Sequence, residues 1–313
     1  MARRCQRVYL PNVSRRALAL CTLASIALYG ARANACASCS CGDQTLTAFG
    51  VEKPYRNRLR FSMEERYGEI RYGDMTDGAV NRTLRSAISV SWTPERHITL
   101  ALMLPWLSSF ISPFAKSPMQ EIEGLGDLEV SARVLVFRDR SFSPRHLLWL
   151  TGGLKMPTGP EQMNGHYPVE DDLQPGSGSW DPFAGVTYGY FSGGLFSAFA
   201  SASYRYTTSG RNGFRFGSAF GASLIGQVQP WWWGAFQAGF DVRWSAADQL
   251  KNGNDSPDSG GTIVSITPAL LFSPIKNGNL LIRAAGGIPF AQKLNGTQYV
   301  GPQATLSVAV DIL

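Results

Sequence analysis

Apolar and polar residues alternate with a period of two along most of the 313-residue chain. Because successive side chains of a β-strand point to opposite faces, this alternation predicts strands with one apolar face and one polar face. In the segment 98–106, for example, Ile98, Leu100 and Leu102 share one parity. The pattern predicts twelve strands, at 57–67, 80–92, 97–107, 127–138, 146–156, 180–191, 195–206, 214–228, 231–244, 262–272, 279–290 and 300–312.

The connections between these strands alternate between long and short. The odd-numbered connections average about 14 residues and the even-numbered ones about 4. Each strand is long enough to cross a bilayer, which takes ~9–11 residues when the strand is tilted. Long loops outside the cell and short turns in the periplasm are typical of outer-membrane barrels, whereas a soluble β-sandwich gives no reason for the alternation. The sequence therefore predicts an all-β chain that forms a single antiparallel up-and-down transmembrane β-barrel of about 12 strands.

Composition and charge exclude other classes. No apolar run reaches the ~20 residues of a membrane helix. The chain is too rich in aromatic and β-branched residues to be disordered. The formal net charge of +6 comes from six arginines in the first 35 residues, and without them the basic residues fall from 29 to equal the 23 acidic ones. The charge therefore gives no reason to expect a nucleic-acid partner.

The first 35 residues have the order of a secretory signal peptide. A basic stretch ends at Arg15 and Arg16, an apolar stretch spans 17–30, and Ala33 and Ala35 flank Asn34 at an expected cleavage site. A twin-arginine signal and a lipoprotein acylated at Cys36 are weaker alternatives. We expect a signal peptide at 1–35, a Cys-rich periplasmic segment or plug at 36–56, and the barrel at 57–313 in the outer membrane of a Gram-negative bacterium.

The polar faces of the predicted strands carry ten basic and six acidic residues, which we expect to line the lumen. An excess of arginine could favour anionic solutes, because guanidinium pairs with carboxylate or phosphate. The alternative is a salt-bridged wall that only keeps polar groups satisfied. Twelve strands leave both a narrow pore and a plugged lumen open. The candidates are Arg58, Arg60, Glu64, Arg66, Arg85, Asp127, Glu129, Arg133, Lys155, Asp181, Arg205, Arg215, Asp241, Arg243, Arg283 and Asp311.

Aromatic residues collect near both ends of the predicted strands, as in the girdles that mark the two interfaces of a membrane barrel. At the short-turn end they are Trp92, Tyr190, Phe196, Trp231, Trp232 and Phe272, and at the long-loop end Trp106, Trp180, Tyr206, Phe214, Trp244 and Phe290. Such a barrel has outer-membrane lipid, lipopolysaccharide and the assembly machinery as partners. The chain ends at Leu313 rather than at the aromatic residue that this machinery often reads.

Three cysteines lie in the predicted N-terminal segment, in the stretch CASCSCGD. Cys36 and Cys39 could form a small disulfide in the oxidising periplasm. Thiolates of Cys36, Cys39 and Cys41 beside Asp43 could instead bind a soft metal such as Cu(I) or Zn(II). Covalent haem attachment is excluded, because Ser40 stands where that motif needs histidine. We expect no other cofactor.

The few histidines make a hydrolase the weakest interpretation. His97, His146 and His166 are the three in the chain, and none lies two residues from a serine as in the outer-membrane phospholipase. His166 lies near the acidic residues 170–172, which are better explained as a solvated loop. We therefore expect no enzyme activity.

The mature chain resembles a group of uncharacterised Gram-negative outer-membrane barrels described as transporters, including those likened to the phenol-degradation MetA-pathway proteins. The resemblance rests on GDQTLT at 42–47, GLKMPTGP at 153–160, LQPGSGSWDPFAGVTYGY at 173–190 and SPDSGG at 256–261. GDQTLT departs from the expected GDPTLT. The resemblance implies passage of small, often hydrophobic or aromatic solutes, and it provides no catalytic residues. We expect a passive channel for small solutes, or alternatively a non-conducting barrel that presents its Cys-rich segment to a metal or a periplasmic partner.

Overall fold

The computed structural model describes residues 56–73, 78–113, 120–164, 167–168, 173–275 and 279–312. Their architecture is a closed antiparallel barrel of twelve strands. The strands are β1 (Arg58–Tyr72), β2 (Ala79–Glu95), β3 (Ile98–Pro113), β4 (Leu128–Arg138), β5 (His146–Met156), β6 (Asp181–Phe191), β7 (Phe196–Arg205), β8 (Ala219–Trp231), β9 (Gly234–Ser245), β10 (Gly261–Phe272), β11 (Leu280–Leu294) and β12 (Gln303–Ile312).

Each strand pairs with its neighbours in sequence, and β12 closes the barrel against β1. Two short strands extend the wall at the long-loop end. Gln120–Leu125 pairs with the half of β3 that is nearer the long loops, and Gln298–Val300 pairs with the long-loop end of β1. Met163–Asn164 pairs antiparallel with Tyr167–Pro168. The all-β barrel predicted from the alternation is confirmed. Among the described residues, no helix is long and apolar enough to cross a membrane.

β1 and β3 extend past their predicted ends to Tyr72 and Pro113, and β8 begins at Ala219 rather than at residue 214. Phe214 and Phe216 pack edge to face at 5.0 Å, and Arg215 pairs with Gln249 of the next long loop. Residues 214–218 therefore belong to the loop layer at the barrel mouth. The turn after β8 lies at 232–233 rather than at 229–230, because the register shifts between Val228 and Trp231.

The outer face of the barrel is apolar over the whole circumference. The side chains of the apolar parity project outward and are exposed, among them Ile88, Leu224 and Leu270. Ten of the twelve predicted girdle aromatics are exposed, Tyr190 is half-buried, and Phe214 is buried in the loop layer described above. A closed barrel with an apolar outer band between aromatic girdles is the architecture of outer-membrane proteins of Gram-negative bacteria. The expected localisation follows from this architecture.

Charged side chains on the outer face lie at or beyond the girdle of the long-loop end. Glu65 faces Ser86 across β1 and β2, accepts a hydrogen bond of 2.7 Å from its hydroxyl, and lies in the same cross-strand row as Trp106. Farther out, Glu69 forms ion pairs with Arg71 and Arg82 at 2.9 and 3.2 Å. β1, β2 and β3 therefore continue past the lipid boundary as a solvent-exposed wall.

Candidate functional site

A cavity of about 590 Å³ lies inside the barrel. Its wall is formed by the side chains that alternate to the polar face of each strand. Charged residues that the alternation assigns to this face therefore lie around the cavity. Both charged and small polar side chains face it. The charged residues that line it are Glu64, Arg66, Arg85, Glu129, Arg205, Asp241, Arg243 and Arg283.

Four of these residues form a group that we call the arginine ring, namely Arg66 on β1, Arg85 on β2, Arg205 on β7 and Arg243 on β9. Arg66 and Arg85 are directly opposite each other in the β1–β2 pairing. Arg66 and Arg205 each lie within electrostatic range of Arg85 and of Arg243. The ring therefore joins guanidinium groups from opposite sides of the barrel.

Two members of the ring have carboxylate partners. The guanidinium of Arg66 is 2.9 Å from Glu64, two residues earlier on β1. Arg205 pairs with Glu129 through two contacts of 2.9 Å, although β5 and β6 separate their strands. This second pair crosses the lumen, and the Arg205 guanidinium also lies 5.1 Å from the centre of the Phe183 ring.

The other two members have no such partner. The Nη2 atom of Arg85 lies 3.9 Å from the sulfur of Met103. The Arg243 side chain makes no hydrogen bond or ion pair with any residue in the described part of the chain, and it is exposed although the barrel wall surrounds it. Arg243 therefore presents its side chain to the cavity inside the barrel.

On the long-loop side of the ring, residues 157–164 and 173–180 are held at the barrel mouth by one buried carboxylate. Asp127 Oδ1 accepts a hydrogen bond from the backbone of Gly159 at 3.0 Å, and Oδ2 accepts from the backbone and hydroxyl of Ser177 at 2.8 and 2.9 Å. A Cβ atom at Gly176 would lie only 2.7 Å from the same carboxylate, so the loop approaches it with bare backbone. Lys155 bridges Asp127 and Asp181.

The far end of this loop packs against the inner side of the extended wall. Leu173 lies against a buried cluster that contains Ala79 of β2, Ile111 of β3 and Ile122 of the short added strand. Ala79 has the same parity as Arg85 of the lumen wall, so this cluster faces inward. The described residues of this loop, 157–164 and 173–180, therefore lie on the inner side of the long-loop mouth. Arg211 of the following long loop donates to the carbonyl oxygen of Gly159 and joins the two loops.

The carboxyl group of Asp248 connects two further long loops at the barrel mouth. Asp248 accepts a hydrogen bond of 2.6 Å from the backbone of Gly217. Burial raises the pKa of Asp248 above its ordinary value, and the hydrogen bond from Gly217 opposes part of that rise. This contact links the loop before β8 to the loop after β9.

At the short-turn end, a buried ion pair lies on the inner face of the barrel wall. Arg60 and Asp311 are directly opposite each other on β1 and β12, and Arg60 Nη2 donates to Asp311 Oδ2 at 2.7 Å. Arg58 lies 3.9 Å from the same carboxylate. Arg60 is only 2% exposed, so this cluster is part of the packed interior.

The remaining candidates form separate contacts along the wall. The Arg133 guanidinium lies 4.8 Å from the centre of the Trp149 ring, and Thr267 donates to Asp241. Arg283 donates to Gln237 at 3.1 Å. Arg215 lies in the loop layer rather than on a strand, where its Nε donates to the carbonyl oxygen of Thr207.

Reasoning from charged residues alone missed several groups of this interior. Gln237 donates to Gln227 at 3.0 Å, and both are buried on the polar parity of β9 and β8. The position of these two glutamines on the polar face of the predicted strands is the sequence feature that could have identified them. Ser177 and Gly159 carried no such signal, because nothing in the alternation relates a loop to the lumen.

Several sequence predictions lie outside the described residues. These are the signal peptide, Cys36, Cys39, Cys41, Asp43 and His166. Within the described ranges, no group of three or more His, Cys, Asp or Glu side chains could hold a metal ion. His146 shares a hydrogen bond of 2.6 Å with the hydroxyl of Tyr188, and His97 lies exposed in the turn between β2 and β3.

Comparison with known proteins identifies the fold. An outer-membrane channel from Pseudomonas putida F1 is similar with a TM-score of 0.63 and 14% identity, over 82% of this chain and 96% of that one. A FadL homologue of Pseudomonas aeruginosa (TM-score 0.44, 9% identity, 82% and 90% coverage) and the monoaromatic hydrocarbon channel CymD (0.43, 8%, 82% and 89%) are less similar. The expected resemblance to outer-membrane barrels is confirmed at the level of the fold. No family model matches the chain, and no curated protein matches it either.

Proposed function

We propose that the protein is a passive outer-membrane channel for small solutes. The observation that carries the proposal is the polar cavity of about 590 Å³ inside a closed barrel, with exposed charged side chains such as Arg243 on its wall. Such side chains can replace part of the hydration shell of a polar solute as it passes. The likeness to the Pseudomonas putida channel concerns the fold, and the proposal rests on the lumen.

The dimensions favour small solutes over large ones. Residues 157–164 and 173–180 lie at the mouth through contacts with Asp127, and the Arg60–Asp311 pair lies on the inner face at the opposite end. A cavity of this volume lies in the range of small-molecule sites, ~300–1,000 Å³. Solutes would move down their gradients, because nothing in this arrangement supplies energy.

An enzyme activity is not part of the proposal. His146 lies at the short-turn end of β5 with its Nδ1 bonded to Tyr188, away from the cavity. His97 is exposed in a turn at the same end. His146 contacts Asp139 Oδ1 through its backbone N–H at 3.0 Å and not through its ring, so the contacts of the described residues do not assemble a hydrolytic site at either histidine.

The proposal predicts that a bulky side chain in the lumen will block solute flux. Gly287 lines the cavity, and its Cβ would meet only Gln303 at ordinary contact distance, so Gly287→Trp adds a large ring to the lumen without breaking the wall. We expect most of the flux of a small sugar, measured by swelling of proteoliposomes, to be lost. Gly152→Trp is the matched control, because a Cβ there points outward and meets nothing within 4 Å. Equal flux in the two variants would argue against passage through this cavity.

A further inference from the structure

The arginine ring carries more positive charge than its carboxylate partners neutralise. Glu64 and Glu129 form ion pairs with Arg66 and Arg205, whereas Arg85 lies only within electrostatic range of these two carboxylates and Arg243 forms no ion pair with any described residue. Like charges placed directly opposite on adjacent strands are destabilising. The direct opposition of Arg66 and Arg85 therefore costs stability that a structural wall would have no reason to lose.

The other charged groups around the cavity do not correct this imbalance. Asp241 lies two residues before Arg243 and accepts a hydrogen bond from Thr267 on β10. Arg283 on β11 donates to Gln237. Of the eight charged residues that line the cavity, five are basic and three are acidic, which leaves an excess of two positive charges.

Apolar groups lie next to the ring and restrict the kind of anion that would fit. Met103 is in contact with Arg85, and the Phe183 ring lies under the Arg205 guanidinium. Ile225 also lines the cavity. A small inorganic anion would leave these surfaces in contact with water, whereas a compact organic acid would cover them.

We infer that the arginine ring binds the carboxylate of a small organic acid with an apolar body, with Arg85 and Arg243 as the principal contacts. Guanidinium donates two parallel hydrogen bonds to a carboxylate, and pairs between ionised groups are stronger than neutral ones. Met103, Phe183 and Ile225 hold the apolar part of the same molecule. This inference rests on the proposed channel, whose selectivity it assigns.

The test uses benzoate as the probe and benzamide as its neutral isostere. Benzoate binding to the detergent-purified protein is measured by calorimetry at low ionic strength, where screening is weak. The same ligands are then added to single channels in planar bilayers. We expect benzoate to bind and to reduce the current, and benzamide to do neither. In Arg85→Gln/Arg243→Gln, benzoate affinity is expected to fall about tenfold or more.

The control variant Arg96→Gln/Arg138→Gln removes the same charge from the short-turn end, outside the cavity lining. It is expected to bind benzoate like the unchanged protein. Unchanged affinity in the ring variant, equal binding of benzamide, or equally strong binding of inorganic phosphate would each overturn the inference. Calorimetry measures binding without conduction. A barrel that binds benzoate but passes no current would therefore contradict the proposed channel and support the proposed binding site. A conducting barrel that does not bind benzoate would support the proposed channel and contradict the proposed binding site.

Discussion

Replacing Asp127 with alanine is expected to raise the single-channel conductance and to produce frequent transitions to larger conductance levels. Asp127 is 3% exposed and accepts hydrogen bonds from Gly159 and Ser177, which hold residues 157–164 and 173–180 at the mouth. Hydrogen bonds to a charged group contribute about 1.5–3 kcal/mol each, so loss of several would release the loop for part of the time. Lys155 keeps Asp181 as its partner, and the strands should remain folded.

Asp255→Ala is the control for this experiment, because Asp255 is an exposed residue of another long loop. It should leave both the mean conductance and the number of levels unchanged. If Asp127→Ala gave the same steady current as the unchanged protein, the loop would not limit passage through the mouth.

Replacing Asp311 with alanine is expected to be the most destabilising single change in the barrel. It removes the carboxylate that pairs with Arg60, which is 2% exposed, and that lies 3.9 Å from Arg58. Breaking a buried ion pair from one side leaves an uncompensated buried charge and costs about 3–5 kcal/mol. The free energy of unfolding can be measured by urea titration in lipid vesicles, followed by tryptophan fluorescence.

The exposed pair of Arg56 and Glu95 provides the matched control, since their side chains are 62% and 60% exposed at a separation of 3.4 Å. Glu95→Ala should cost at most about 1 kcal/mol, because solvent screens an exposed pair. Similar losses for Asp311→Ala and Glu95→Ala would contradict the description of the short-turn end as a packed, charged interior.

The alternation predicts the barrel well because lipid imposes it directly. Each outward side chain such as Leu224 contacts hydrocarbon, so a polar residue there is selected against by the bilayer itself. The same constraint places Arg66, Arg85 and Arg243 on the inner face. It does not apply beyond the lipid boundary, so the alternation predicts the start of β8 at residue 214, whereas the strand begins at Ala219.

The organisation of the site depends on contacts that a local pattern does not contain. Asp127 holds groups that lie 32 and 50 residues farther along the chain, at Gly159 and Ser177. The arginine ring brings β1, β2, β7 and β9 to one level of the lumen, and this level depends on the stagger with which the barrel closes. The alternation indicates that a side chain faces the lumen, but it does not indicate how far along the barrel axis that side chain lies.

The central claim, a water-filled path through the barrel, is tested most directly by recording single channels. The protein purified from outer membranes is inserted into a planar bilayer, and its folding is checked by heat-dependent mobility on a gel. We predict stable unitary current steps, with a reversal potential in a salt gradient that indicates anion preference, as expected for a lumen with excess arginine. A folded, inserted barrel that passes no current under any voltage would contradict the account.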